Sequence, residues 1–105
     1  MDLVEGVYHI TRAFPKVETY GLTAQVRRAV VSIPSNIAEG PSRASTLEYL
    51  HLSIAQASLA EGETQLEIAA RLHFVPADEL VPVRQSCGIL SKQLFHLREA
   101  LRVRV

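Results

Sequence analysis

The segment that most limits what the chain can fold into is residues 46–74, which contains no proline. Apolar residues recur along it at steps of three or four, and its about 29 residues would span roughly 43 Å as a helix. They form two neighbouring stripes. The first stripe comprises Leu47, Leu50, Ile54, Ala57, Ile68 and Leu72, and the second stripe comprises Leu52, Ala55, Leu59, Leu66, Ala69 and Ala70. Two apolar stripes on one helix predict two buried faces.

The start of this helix has its own signal. Ser45 is followed three residues later by Glu48, which is the spacing of a capping box. The hydroxyl of such a serine accepts from a backbone N–H of the first turn, and the glutamate reaches back to the serine N–H. We therefore expect a helix over about residues 46–74.

Three further segments have helical periodicity. The ranges are about 2–13, ended by Phe14-Pro15, about 22–39, ended by Gly40-Pro41, and about 78–103. Two prolines fall inside these ranges. Pro34 removes a backbone hydrogen bond, so we expect a bend there. Pro82 predicts either a helix that begins near Val81 or a kinked first turn.

Strand signals are weak, because the only alternating segment, residues 14–20, is interrupted by Pro15 and lacks a partner. A chain of 105 residues has room for one domain. Four helices with short connections predict an all-α fold, an antiparallel up-and-down four-helix bundle over residues 1–105.

Charge and cysteine content exclude several classes of protein. Eleven Lys and Arg balance eleven Asp and Glu, which excludes a strongly basic nucleic-acid clamp and an acidic disordered tail. The N-terminal residues are not those of a secretory signal and no segment is long enough to span a membrane, so we expect a cytoplasmic protein without a membrane partner. The single cysteine, Cys87, is interpreted as a small apolar residue on a helix.

A polar stripe runs along the second helix. Arg28, Ser32, Asn36 and Glu39 follow one another at four, four and three residues. On the third helix, Glu61 and Gln65 lie within the first stripe. A buried carboxylate is costly unless paired, and Arg27 or Arg28 is its natural partner. One interpretation is a buried polar network that fixes helix register or a subunit contact. The alternative is a ligand or catalytic site.

Signals for catalysis or metal binding are incomplete. Glu48 and His51 form one Glu-x-x-His pair, whereas a di-iron bundle needs two such pairs and two more glutamates. Neither Cys87 nor any serine has a glycine elbow or a recognisable base. We therefore predict no catalytic, cofactor or metal site, no enzyme activity, and a surface or packing role for His51.

Several segments resemble a known family. The residues that carry the likeness are 14–29, 32–40 and Arg43, continued in register by Ala55, 58–61, 65–66 and 69–72. They resemble the signature of the bacterial four-helix-bundle proteins named for the intervening sequences of 23S ribosomal RNA genes. Gly62 and Ala57 depart from this pattern, and Gly62 costs about 1 kcal/mol in a helix interior.

The resemblance implies an up-and-down bundle that assembles as a homopentamer around a central channel, with no established enzymatic activity. The fold is similar to that of the accessory proteins of diversity-generating retroelements, which are basic pentamers that bind nucleic acid and a reverse transcriptase.

Charge is unevenly distributed along the chain. Residues 84–104 contain five basic residues and one acid, Glu99. Residues 48–67 contain four glutamates and no Lys or Arg. This asymmetry suits a head-to-tail ring; the alternative is solvated faces within one subunit. A pentamer would gather Arg98, Arg102 and Arg104 into a rim of up to about 15 cations.

Two functions follow from these features. The favoured one is a non-enzymatic, self-assembling interaction protein whose ring presents those three arginines to RNA or an RNA–protein complex. The alternative is a small-molecule or metal-binding helical bundle that uses Arg28, Asn36, Glu39 and Glu61.

Overall fold

A computed structural model of the protein describes residues 2–40 and 45–102. These residues form four helices and no strand. The helices are α1 (Asp2–Thr11), α2 (Leu22–Glu39), α3 (Ser45–Arg71) and α4 (Ala77–Arg102), and a 3-10 turn (Lys16–Glu18) connects α1 to α2. The chain therefore has the predicted all-α, four-helix fold. The expected capping serine, Ser45, is the first residue of α3, and its side chain lies outside the described part of the structure.

α1 ends at Thr11, two residues before the expected end at residue 13. The amide nitrogens of Arg12, Ala13 and Phe14 donate to carbonyl oxygens three residues earlier, at 3.1–3.3 Å. Bonds of this spacing tighten the last turn into 3-10 geometry. Pro15 follows and cannot continue a helix.

Local geometry also sets the end of α3, at Arg71 instead of residue 74. His73 has a φ of 60°, and the Phe74 amide donates to the Ala69 carbonyl at 2.9 Å while the His73 amide donates to that of Ala70 at 3.1 Å. This pair of bonds is a Schellman motif, in which glycine is the usual left-handed residue. Phe74 then packs on Phe14, with ring centroids 5.7 Å apart.

The two helix prolines are accommodated inside their helices. α4 begins at Ala77 and contains Pro82, so a start near Val81 is wrong. Pro82 has no N–H to donate to the backbone carbonyl of Asp78. Asp78 is exposed in the first turn of α4, so water can donate a hydrogen bond to that carbonyl instead. Pro34 lies inside α2, and the bend expected there stays a prediction.

The core lies where each helix contacts two others. α1 packs on α2 and α4, α3 packs on α2 and α4, and the contact between α2 and α3 is the most extensive. Gly62 of α3 lies against α2, where a Cβ would meet Val30 Cγ1 at 3.5 Å and Ala29 Cβ at 3.8 Å. None of the described helices combines the length and apolarity that a bilayer span requires.

Only one of the two stripes of α3 is buried in the chain. The second stripe packs inward, and its members from Leu52 to Ala69 are at most 4 % exposed. The large side chains of the first stripe, in contrast, are 41–54 % exposed. The expectation of two buried faces is therefore wrong within the chain, because α2 and α4 both pack on the side of the second stripe.

Candidate functional site

A chain of polar side chains links α2 to α3. Ser32 Oγ lies 3.0 Å from Ser58 Oγ, and Asn36 Nδ2 donates to the backbone oxygen of Ser32 at 2.8 Å and to its Oγ at 3.1 Å. Asn36 Oδ1 lies 3.0 Å from His51 Nδ1. Since the Asn36 amide nitrogen donates to Ser32, its oxygen accepts from a protonated His51 Nδ1.

This polar chain contains two residues of the predicted stripe, Ser32 and Asn36, and two partners that the periodicity did not identify, Ser58 and His51. All four residues are half-buried, and each has a hydrogen-bond partner. Such a satisfied network suits fixing the register of two helices, because sliding α3 along α2 would leave its members unpaired. His51 thus joins α3 to α2 through a hydrogen bond, and the surface or packing role expected for it stays a prediction.

The two arginines expected to pair with a carboxylate of α3, Arg27 and Arg28, have different surroundings. Arg27 Nε donates to Thr11 Oγ1 at 2.8 Å, and its guanidinium carbon lies 4.6 Å from the centroid of the Tyr8 ring. Arg27 thereby braces α2 against α1. Arg28 is exposed and has no hydrogen-bond or ion-pair partner among residues 2–40 and 45–102. Glu39 is exposed at the end of α2, and Arg43 lies outside the described residues.

The expected pairing of Glu61 with Arg27 or Arg28 is not made within the chain. Glu61 Oε1 accepts from Gln65 Nε2 at 3.1 Å, one turn along the same helix. Glu61 is exposed, so water solvates its carboxylate and no cation is required. Gln65 is buried, and its Oε1 has no partner in the described part of the chain.

The basic residues expected on a rim at the end of α4 are largely committed to other contacts. Arg98 is half-buried and donates to Gln56 Oε1 and, at 3.2 Å, to the hydroxyl of Tyr49, both on α3. Arg102 donates to Glu99 at 2.9 Å. Arg104 lies outside the described residues. The count of charges along the sequence predicts a free cation at Arg98. In the structure its side chain instead joins α4 to α3.

The acidic and basic segments also meet within the chain. Glu67 of α3 accepts from Arg71 at 3.1 Å and from Arg84 of α4 at 2.9 Å. These hydrogen bonds hold the pKa of Glu67 below its ordinary value. One acid of the acidic segment is thus paired with one cation of the basic segment inside the chain.

Chemically reactive groups do not converge in the described structure. No group of three or more His, Cys, Asp or Glu side chains there is arranged to hold a metal ion. Burial, with a smaller contribution from the charge of Glu63, raises the pKa of the Cys87 thiol to about 11. The thiol is therefore protonated and inert at neutral pH, consistent with a small apolar core residue.

Comparison with known proteins supplies the family. No curated protein matches the chain. The family model described as 23S rRNA-intervening sequence protein matches residues 1–96. With nearly its whole length covered by that model and four helices in its structure, the chain belongs to the family of 23S rRNA-intervening sequence proteins.

Proposed function

We propose that the protein is a non-enzymatic interaction protein that assembles with copies of itself through the first stripe of α3. One observation carries the proposal: the large side chains of this stripe, among them Leu50 at 51 % and Ile54 at 41 %, are exposed although they recur at core spacing. Large apolar side chains exposed at successive turns of one helix, as Leu47, Leu50 and Ile54 are, mark an interaction site on a folded domain.

The subunit in this proposal is an antiparallel up-and-down bundle. Contacts support it, because residue numbers fall along one helix as they rise along its neighbour. Ser32 and Asn36 of α2 meet Ser58 and His51 of α3. Likewise, Arg84 and Arg98 of α4 meet Glu67 and Gln56 of α3. Short connections between successive helices favour the same topology.

The assembly in this proposal is a head-to-tail homopentamer, the ring implied by the family resemblance. A heterologous ring needs a second patch that accepts the first stripe of the neighbouring subunit. Three exposed apolar residues of α4, which the helical repeat places within about 120° of one another, are the candidates for it: Val81, Ile89 and Phe95. Glu61, within the first stripe, is exposed and bonded only to Gln65, and Lys92 of α4 has no ion-pair partner among the described residues, so both are available to pair across such an interface.

The partner in this proposal is RNA or an RNA–protein complex. The family is named for an rRNA intervening sequence, and a ring repeats every exposed cation of one subunit around its rim. Arg102 is exposed at the end of α4, with Arg104 following in the sequence. Repetition by symmetry is the way in which a chain with no net charge gains a basic surface.

The absolute mass in solution, measured by light scattering on a sizing column with and without a structured RNA, tests both halves. We expect a mass of about five times 11.6 kDa that increases when RNA is added. A monomer would refute self-assembly. A pentamer whose mass does not respond to RNA at physiological salt would refute the RNA partner and leave a protein scaffold.

A further inference from the structure

An open groove lies between α1, the 3-10 turn and the first half of α2. Two tyrosines and two arginines dominate its lining: Tyr8, Tyr20, Arg27 and Arg28. Tyr20 is 96 % exposed, and Tyr8 is 39 % exposed. No described residue covers the Tyr20 ring, so its faces are open to a ligand. An aromatic ring beside guanidinium groups is the combination that binds stacked bases and phosphates.

Arg27 is held in position before any ligand arrives. Its Nε donates to Thr11 Oγ1, and that buried hydroxyl in turn donates to the Val7 carbonyl at 2.7 Å. The guanidinium also lies over the Tyr8 ring. Its two terminal nitrogens make no hydrogen bond with the described residues, so they remain donors for a bidentate acceptor.

The charge of the groove is uncompensated. Arg28 follows Arg27 and has no partner in the described structure, and none of the described residues that line the groove is acidic. The nearby Glu18 carboxylate accepts from the Leu22 amide at 3.1 Å, where it caps the first turn of α2. The groove thus differs from the end of α4, where Arg98 and Arg102 donate to other side chains.

We propose that this groove binds a phosphorylated nucleoside, with the base stacked on Tyr20 and the phosphate held by Arg27 and Arg28. The nucleoside is either a free nucleotide or a unit of single-stranded RNA. The zero net charge of the chain does not oppose this, because one nucleotide responds to the local charge of the groove. Choosing RNA over a free nucleotide rests on the proposed function; the groove chemistry does not.

The experiment uses the full chain and two probes, a fluorescein-labelled oligouridylate of about eight nucleotides and uridine monophosphate. Binding of the first is followed by anisotropy, and binding of the second by quenching of tyrosine fluorescence. The chain has no tryptophan and three tyrosines, so quenching that disappears in Tyr20→Ala reports stacking on Tyr20. Both Tyr20 and Arg28 are exposed, so their substitution leaves the core intact.

The matched control is Arg71→Gln, which removes the same charge from an exposed side chain of α3 that belongs neither to the groove nor to the end of α4. We expect Arg28→Gln and Tyr20→Ala each to weaken oligouridylate binding at least about fivefold, and Arg71→Gln to change it less than about twofold. If uridine monophosphate binds the wild type as tightly as the oligonucleotide does, the source is a free nucleotide. If the oligonucleotide binds far more tightly, the source is RNA.

Two outcomes would overturn the inference and leave RNA binding standing. Equal losses in Arg28→Gln and Arg71→Gln would mean that only net charge matters, and a loss in Arg102→Gln without a loss in Arg28→Gln would place the RNA on the end of α4. Binding of neither probe would overturn this inference, whereas the RNA half of the proposed function would still be decided by the mass measurement with structured RNA. Self-assembly would still be decided by the mass measurement.

Discussion

The two stripes of α3 have similar residue types and the same helical spacing, yet one is core and the other is surface. Leu59 of the second stripe is 2 % exposed, whereas Leu50 of the first stripe is 51 % exposed. The difference lies in what surrounds the helix, because α2 and α4 both pack on the side of the second stripe. Periodicity thus identifies the apolar faces of a helix. Tertiary packing determines which of these faces is buried within the same chain.

The sharpest way to break this comparison is to charge the first stripe. If the stripe is a subunit contact, Ile54→Glu buries a carboxylate in each interface, and we expect the assembly to fall to monomers with its helical circular dichroism unchanged. Light scattering measures the mass. The control is Val17→Glu, which charges an apolar residue that is 86 % exposed in the 3-10 turn. Equal masses for both variants and the wild type would remove the first stripe from the interface.

The second-largest effect is expected from shortening one leucine in each stripe. Leu59→Ala leaves a cavity in the core and should lower the free energy of unfolding by about 2–5 kcal/mol. Leu50→Ala should lower it by less than about 1 kcal/mol in the monomer, since the side chain is already half in water. Urea unfolding on the Ile54→Glu monomer background separates folding from assembly. Similar losses for both leucines would mean that the first stripe is covered within the subunit.

A smaller effect tests how much space remains between α2 and α3. Gly62→Ala places a methyl at ordinary contact distance from Val30 and removes a helix-interior glycine, so we expect a gain of about 0.5–1 kcal/mol in unfolding free energy. Gly88→Ala in α4 is the matched control. Apart from its two chain neighbours and the backbone of its own helix turn, no described atom lies within 4 Å of the added methyl. Thermal melts that show a gain for Gly88→Ala and a loss for Gly62→Ala would indicate that this contact is already full.

The smallest effect concerns the exposed ion pairs at the edge of α3. The pKa of Glu67 is lowered by Arg71 and Arg84, so these contacts stabilise the fold above the ordinary glutamate pKa of about 4.3 and lose that effect as the pH falls through the lowered value. We expect Glu67→Gln to melt slightly below the wild type at neutral pH and together with it at about pH 2. An unchanged difference between the two melting temperatures in acid would contradict this origin.

Sequence was sufficient for features that depend on residues close together along the chain. Helical spacing and the resemblance led to the all-α class and the family. Contacts between helices were beyond its reach, because Ser58 and His51 become partners of Ser32 and Asn36 only once the axial register of α2 and α3 is known. Arg98 shows the same limit. A charge count makes it a rim cation, whereas its long side chain turns inward to Gln56 and Tyr49.

The shortness of α1 has a consequence for how the molecule opens. Its ten residues form a rod of about 15 Å, too short to be stable alone, and it is anchored by packing and by the bond between Arg27 and Thr11. Its amides should therefore exchange with solvent deuterium when α1 detaches from the rest of the fold. Amides of α2 and α3 should exchange only when the whole domain unfolds. Detachment dismantles the groove that α1 shares with α2, so any ligand held there will also slow exchange in α1.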